Sequence, residues 1–249
     1  MLPIQWNYVN YFIINFMKSS NISIISDSIS MPRVEENAEK ILISHTWPTL
    51  LNKLFNCSTN IYNFSKRARD SFTFSNDLIN EAVKLIEPKY IILQVGIVDC
   101  SPRIFSNIEK RIIFSRLFPK SIKKFLISYT KNKFSNSKKI NRYKVQVDKK
   151  DFSNNIKSLI NNIKSINRDI KIIIIPIIGD LKKLEEFRAG YATNIKNYNR
   201  LLNIKSENTV YLSEIFNEMK SNWFYNDGYH LSKIGHKKIS KILFDYLNV

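Results

Sequence analysis

Cysteine is almost missing from this chain of 249 residues: Cys57 and Cys100 are the only two. Two cysteines make no disulfide framework, and no Cys-x-x-Cys pair or Cys/His metal spacing occurs. Histidine is as scarce, at His45, His230 and His236, too few for a histidine-built metal site, so no metal and no cofactor is expected. Long hydrophobic runs are lacking too. Residues 1–17 are apolar and aromatic, but Asn7, Asn10 and Asn15 interrupt them, no basic stretch precedes them, and no small-residue cleavage site follows before Ile22. Neither a signal peptide nor a spanning helix is expected there. The segment suits an amphipathic helix packed on the domain, with contact to a membrane surface as the alternative. The expected location is cytoplasmic, or peripheral to a membrane. No internal repeat and no second domain is visible, and the length suits a single α/β domain over 1–249.

Acidic residues are in deficit, 21 against 39 Lys and Arg, for a net charge of +18. The imbalance is local. Between Arg103 and Lys150 stand 15 Lys or Arg against only Glu109 and Asp148, a net +13. Abundant Lys, Asn and Ile is also what a gene of biased base composition encodes, which needs no anionic partner. Basic residues interleaved with Phe and Tyr permit nucleic-acid contact, but no nucleic-acid motif accompanies them. An anionic ligand or a membrane surface is the more natural partner of this segment.

Against these absences stand five apolar, β-branched runs: Ile22–Ile25, Asn60–Phe64, Tyr90–Val95, Lys171–Ile177 and Thr209–Leu212. The third and fourth are nearly continuous, as central strands covered on both faces should be. Helical patterns alternate with them over Asn37–Phe55, Ser75–Ile86, Asp151–Ile166, Ala189–Ile204 and Ser232–Leu247, with Ser75 a fitting N-cap. Such alternation predicts a three-layer, doubly wound, mostly parallel five-stranded sheet, whose ligands bind beyond the carboxyl ends of the strands. Residues 103–150 are too long for a simple connection. They read as a basic, partly helical insertion able to cover those strand ends as a lid.

Three residues carry the chemistry. Ser28 stands just past the first strand, where a turn can raise its hydroxyl above the sheet and aim backbone N–H groups at a developing oxyanion. Asp227 and His230, three apart on one loop, suit a carboxylate that holds an imidazole while its other nitrogen faces a nucleophile. His236, inside the last helix, reads as a packing residue, and Cys100 as a small buried one.

These segments resemble the SGNH, or GDSL-type, hydrolase family over nearly the whole chain. Ser26-Asp27-Ser28 resembles the family's Gly-Asp-Ser, and Asp227-Gly228-Tyr229-His230 its Asp-x-x-His, with Gly235-His236 beyond. Thr46-Trp47-Pro48-Thr49-Leu50-Leu51 is similar to its first helix, Gly96-Ile97-Val98-Asp99 to its Gly-x-Asn-Asp, and Asn63–Ala68 loosely to its Asn-x-x-x-Ser-Gly. The resemblance implies the flavodoxin-like SGNH fold, Ser28 as nucleophile, His230 as base, Asp227 as its orienter, and the backbone N–H groups of Ser28 and Ala68 as an oxyanion hole. Asp27, Arg69, Asp99 and Arg103 are candidates for substrate binding. Three positions depart from the family: Ser26 and Ala68 replace glycines, and Val98 replaces the asparagine that donates to the oxyanion. The expected activity is a serine-dependent ester hydrolase or O-acyltransferase, of deacetylase or acetyltransferase type, on an acylated carbohydrate or similar polar ester. The alternative is a non-catalytic protein of the same fold that binds an anionic glycan or a lipid headgroup.

Overall fold

The computed structural model of the chain describes residues 20–34, 39–56, 58–103 and 144–248, with a few positions between 119 and 129. The amphipathic segment expected over 1–17 lies outside them. So does most of the basic insertion, of which positions 121–122, 124–125 and 128–129 are helical. Its role as a lid also lies outside the described residues.

Seven strands are described in chain order: β1 (Asn21–Ser26), β2 (Asn60–Asn63), β3 (Tyr90–Gln94), β4 (Pro102–Arg103), β5 (Lys144–Val145), β6 (Lys171–Ile174) and β7 (Thr209–Tyr211). Five form one sheet in the order β2-β1-β3-β6-β7, with every pairing parallel. Ile24 of β1 sits between Asn63 and Ile92. The central strands bury Ile22, Ile24, Ile25, Ile91, Ile92, Leu93, Ile172, Ile173 and Ile174, which is why their sequences do not alternate: both faces are covered.

The covering helices are α1 (Trp47–Leu54), α2 (Asn76–Ile79, continuing as a π-helical stretch to Leu85), α3 (Lys149–Ile166), α4 (Leu181–Phe187), α5 (Tyr191–Leu202), α6 (Ser213–Glu218) and α7 (Lys233–Leu247). α1 packs on α7, and α3 packs on both α2 and α5. In α3, Phe152, Ile156, Leu159, Ile160 and Ile163 are buried on one stripe, and Phe152 meets Tyr198 of α5 with ring centroids 4.9 Å apart. The expected cap Ser75 acts as such, and Ser232 caps the last helix. Ser75 Oγ accepts from the Leu78 N–H at 3.2 Å, and Ser232 Oγ from the Gly235 N–H at 3.2 Å.

Two expectations are corrected. The helix expected over Asn37–Phe55 begins only at Trp47, because Pro48 fits just the first turn of a helix; before it the chain is extended at Thr46 and forms a separate 3₁₀ turn at Ile43–His45. And α4 stands before the expected helix, capped by Asp180, whose Oδ1 accepts from the Lys183 N–H at 3.2 Å. Only Leu184 of α4 is buried, so no apolar period announced it.

β1 has β2 on one side and β3 on the other. The loops after β1 and β3 therefore diverge and leave a crevice above the sheet, the place where such folds bind ligands. β4 and β5 pair antiparallel, Arg103 opposite Lys144. This short ladder joins the two ends of the segment expected as a basic insertion over 103–150.

Candidate active site

The β1 end shapes the turn that holds Ser28, the candidate nucleophile. The Asp27 N–H donates to Gln94 O at 3.2 Å, extending the ladder to β3. Asp27 Oδ1 then accepts from the Ile29 N–H at 2.9 Å, capping the 3₁₀ turn Ser28–Ser30. Ser28 is half-buried while its neighbours Asp27 and Ile29 are buried. A short polar residue at the strand end thus caps the turn that presents the serine.

The histidine loop is as tightly tied. The Tyr225 N–H donates to His230 O at 2.8 Å and the Gly228 N–H to Tyr225 O at 3.0 Å, with Gly228 at φ +80°, a conformation open to glycine at little cost. Asp227 Oδ1 accepts the N–H groups of Tyr229 at 3.1 Å and His230 at 3.0 Å. Its Oδ2 lies 2.6 Å from His230 Nδ1. Burial alone would raise the Asp227 carboxyl, but the hydrogen bonds from the His230 side chain and backbone hold it below its ordinary value. An ionised Asp227 fixes the proton of His230 on Nδ1 and turns the Nε2 lone pair outward. Ser28 Oγ lies 3.3 Å from that Nε2. The two ends of the chain, 202 residues apart, thus form one relay.

Arg33 joins this relay, and the sequence reading did not single it out. Its Nη1 lies 2.6 Å from His230 Nε2 and its Nη2 3.8 Å from Asp227 Oδ2. A guanidinium only donates, so it competes with the Ser28 hydroxyl for the one lone pair of Nε2. Arg33 is held by a two-way backbone pairing with Ile41, both bonds 2.8 Å.

Ser28, Ala68, Val98 and His230 line one cavity of about 330 Å³. Ala68 has φ +53°, so it keeps the left-handed backbone for which glycine is the usual choice. Val98 sits in the turn after β3, closed by the Cys100 N–H on Gly96 O at 3.0 Å; Gly96 itself has φ +112° and no room for a Cβ, which would meet Ile177 Cδ1 at 2.6 Å. Arg33, Arg67, Arg103 and Arg188 line the same cavity, together with Phe187, Tyr191 and Tyr229. A larger hollow of about 700 Å³ opens among Asn21, Lys89 and Ile170 at the other end of the strands and holds no nucleophile–base pair.

Of the four expected substrate contacts, only Arg103 lines the cavity. Asp27 and Asp99 are both 0% exposed and Arg69 is 6% exposed, so these three form a layer beneath it. Burial pushes Asp27 up to about 7, against the pull of the Ile29 N–H, with nearby Asp99 adding to the rise and Arg69 opposing it. Burial pushes Asp99 up to about 6, opposed by hydrogen bonds from Ser71, whose N–H donates to Asp99 Oδ1 at 2.8 Å. Burial raises the Cys100 thiol well above its ordinary value, which leaves it a poor nucleophile. His236 is also structural. Its Nδ1 accepts the Trp47 N–H at 3.1 Å, a first-turn donor of α1, and burial pushes it down to about 3.

Among the described residues no group of three or more His, Cys, Asp or Glu is arranged to hold a metal, and no helix is long and apolar enough to cross a membrane.

Comparison with known proteins agrees with this fold. The sequence model of the family described as GDSL-like lipase/acylhydrolase matches residues 27–243. No curated protein matches the chain. Among solved structures, a catalytic mutant of Axe2, an acetylxylan esterase from Geobacillus stearothermophilus, is 14% identical with a TM-score of 0.56, over 91% of this chain and 94% of that one. The lipase/acylhydrolase from Enterococcus faecalis is 13% identical with a TM-score of 0.55, over 92% and 95%. TesA is 13% identical with a TM-score of 0.53, over 92% and 98%. At these identities the likeness is one of fold. In Axe2 the catalytic mutants replace an aspartate and a histidine three positions after it.

Proposed function

The chain belongs to the GDSL-like lipase/acylhydrolase family, and on that premise we propose that this ester hydrolase works through an acyl-enzyme on Ser28. The observation that carries the reading is the relay of Ser28 Oγ, 3.3 Å from His230 Nε2, and His230 Nδ1, 2.6 Å from Asp227 Oδ2. The three-residue spacing of Asp227 and His230, shared with the pair mutated in Axe2, supports it.

In the first half-reaction Ser28 Oγ attacks the acyl carbonyl carbon as His230 Nε2 takes its proton. The carbonyl π-pair moves onto oxygen, and the oxyanion is met by the N–H groups of Ser28 and Ala68. Collapse breaks the ester C–O bond, and the proton on Nε2 goes to the leaving alcohol. In the second half His230 takes a proton from water, the hydroxide adds to the acyl carbon, and Ser28 leaves with the proton restored. Asp227 stays ionised throughout and steadies the imidazolium. The step requires Arg33 to give up Nε2, since a base already accepting from a guanidinium cannot accept from the serine. An acceptor hydroxyl in place of water would make the same intermediate an acyltransferase. The acetylxylan esterase among the fold neighbours favours an acylated carbohydrate or similar polar ester.

Val98 favours one second reading, a non-catalytic protein that binds an anionic ligand in the same cavity. A fluorophosphonate probe decides between them. Labelling of Ser28 that disappears in Ser28→Ala and His230→Ala carries the hydrolase; a folded protein that resists the probe and cleaves no p-nitrophenyl acetate carries the binding protein.

A further inference from the structure

The chemistry of the cavity wall selects among esters. Four arginines, Arg33, Arg67, Arg103 and Arg188, line a space of about 330 Å³, and no Asp or Glu is among the described residues that line it. The chain's general basicity does not account for them. It contains 29 lysines and 10 arginines, yet among the described residues no lysine lines this cavity and four arginines do. Background charge would have supplied lysine. Arginine's planar fork suits a carboxylate, phosphate or sulfate gripped through two donors at once.

Arg67 Nη2 donates to Pro32 O at 3.1 Å, an uncharged carbonyl that orients the fork and leaves its positive charge to be met. Arg188 Nη1 donates to Pro102 O, and Arg33 Nη2 lies 3.8 Å from Asp227 Oδ2. Arg103 is the sharper case, because its Nε is buried and has no partner among the described residues. A buried donor in that state costs free energy until something accepts from it. Apolar walls at Ile97, Val98 and Phe187 lower the local dielectric and lengthen the reach of the charges.

We propose that the substrate is an ester carrying an anionic group close to the scissile bond, read by Arg67 and Arg103. The proposal rests on the Ser28 reading for its reaction but not for its binding. The anion can sit on the acyl side, as in a dicarboxylic acid half-ester, or on the alcohol side, as in an acylated acidic sugar.

The test compares kcat/KM for three chromogenic esters: neutral p-nitrophenyl acetate, the p-nitrophenyl half-ester of succinate with its carboxylate on the acyl side, and 4-acetoxybenzoate with its carboxylate on the alcohol side. At low salt the anionic ester of the correct side should lead by about tenfold or more after correction for intrinsic reactivity, and the lead should shrink in 1 M salt. Arg103→Gln and, separately, the more exposed Arg67→Gln should each cut the anionic-to-neutral ratio severalfold, so a fold defect in one variant leaves the other to decide. Equal ratios for both anionic esters, or a lead indifferent to both substitutions, overturn the proposal. A parallel titration of the Ser28→Ala protein with monomethyl succinate and dimethyl succinate reads binding without turnover. Tighter binding of the monoanion, weakened in Arg67→Gln, sustains the charge reading even if no ester is cleaved, and equal binding rejects it. Loss of Ser28-dependent cleavage of all three esters would instead defeat the hydrolase reading.

Discussion

Val98→Asn tests whether the oxyanion hole is one donor short. Val98 is half-buried and lines the cavity beside Ser28 and Ala68, at the position where the resemblance places a donating asparagine. The proposed hole offers two backbone N–H groups, those of Ser28 and Ala68. One preorganised side-chain donor is worth roughly 10²–10³ in kcat, or about 3–4 kcal/mol of transition-state stabilisation. The change costs little in fold. A half-buried valine contributes about 1 kcal/mol of hydrophobic burial, and asparagine is no larger. The assay is p-nitrophenyl acetate hydrolysis in burst and steady state, with Val98→Ala as a control for space alone. We expect kcat to rise about 10²-fold in Val98→Asn and to stay near the parent in Val98→Ala. A folded Val98→Asn with kcat within about twofold of the parent, where Ser28→Ala is inactive, refutes the missing-donor argument. An equal rise in Val98→Ala would show that room, not a hydrogen bond, was limiting.

Three further outcomes follow from single residues. Ala68→Gly relieves a left-handed alanine and should add about 1 kcal/mol of stability while keeping kcat, because the donor there is backbone; a lower melting temperature contradicts the strain. His236→Ala strands the buried Trp47 N–H and should cost about 2–3 kcal/mol in urea melts at pH 7. His236 sits near 3 in the fold against an ordinary 6.5, so the parent's stability should fall as pH drops through that window, and the deficit of His236→Ala should narrow at pH 5; a deficit that widens contradicts it. Asp27 sits at about 7 in the fold against 3.8, so its contribution is full below about pH 4 and lost as pH rises through 7. Asp27→Asn, which can still accept from Ile29, should therefore gain on the parent between pH 5 and 8, by up to about 2–3 kcal/mol at roughly 1.4 kcal/mol per unit, and a pH-independent gap in melting temperature would reject that.

The sheet was legible because its central strands are buried on both faces, so Tyr90–Val95 and Lys171–Ile177 read as nearly continuous apolar runs. The long amphipathic helices were legible for the same kind of reason, and the stripe of α3 is buried residue for residue. α4 was not, since one buried leucine makes no period. At the site, Ser28, Asp227 and His230 were visible as motifs. Arg33, Arg67 and Arg188 were not, because an arginine in a loop has no pattern until the fold brings loops together. Two of them left a trace, Arg67 as the neighbour of Ala68 and Arg33 five residues past Ser28. The burial of Asp27 and Asp99 also escaped a reading that took polar residues near a motif for substrate contacts. What the sequence cannot carry is depth: a carboxylate after a strand reads the same whether it faces the cavity or the core.

The two departures of the site act on different kinetic quantities. A directional donor beside the carbonyl oxygen strengthens as that oxygen gains charge, so losing it at Val98 raises the barrier between bound substrate and transition state and shows in kcat. An arginine that grips a remote anion holds the bound ester and the transition state alike, because that anion's charge does not change in the reaction. Its contribution is uniform and shows in KM. The arginines therefore do not replace the missing asparagine, however many line the wall. Arg33 is the exception in kind, since its guanidinium rests on the lone pair of His230 Nε2 and must leave before Ser28 can be deprotonated. An anion in the cavity offers Arg33 a charged partner besides Asp227 and competes with the imidazole for its guanidinium, which lowers the cost of releasing the base. A neutral ester provides no such partner and must meet that cost from its own binding. The charge preference of Arg67 and Arg103 should accordingly appear in KM, and that of Arg33 in kcat, with the same anionic ester.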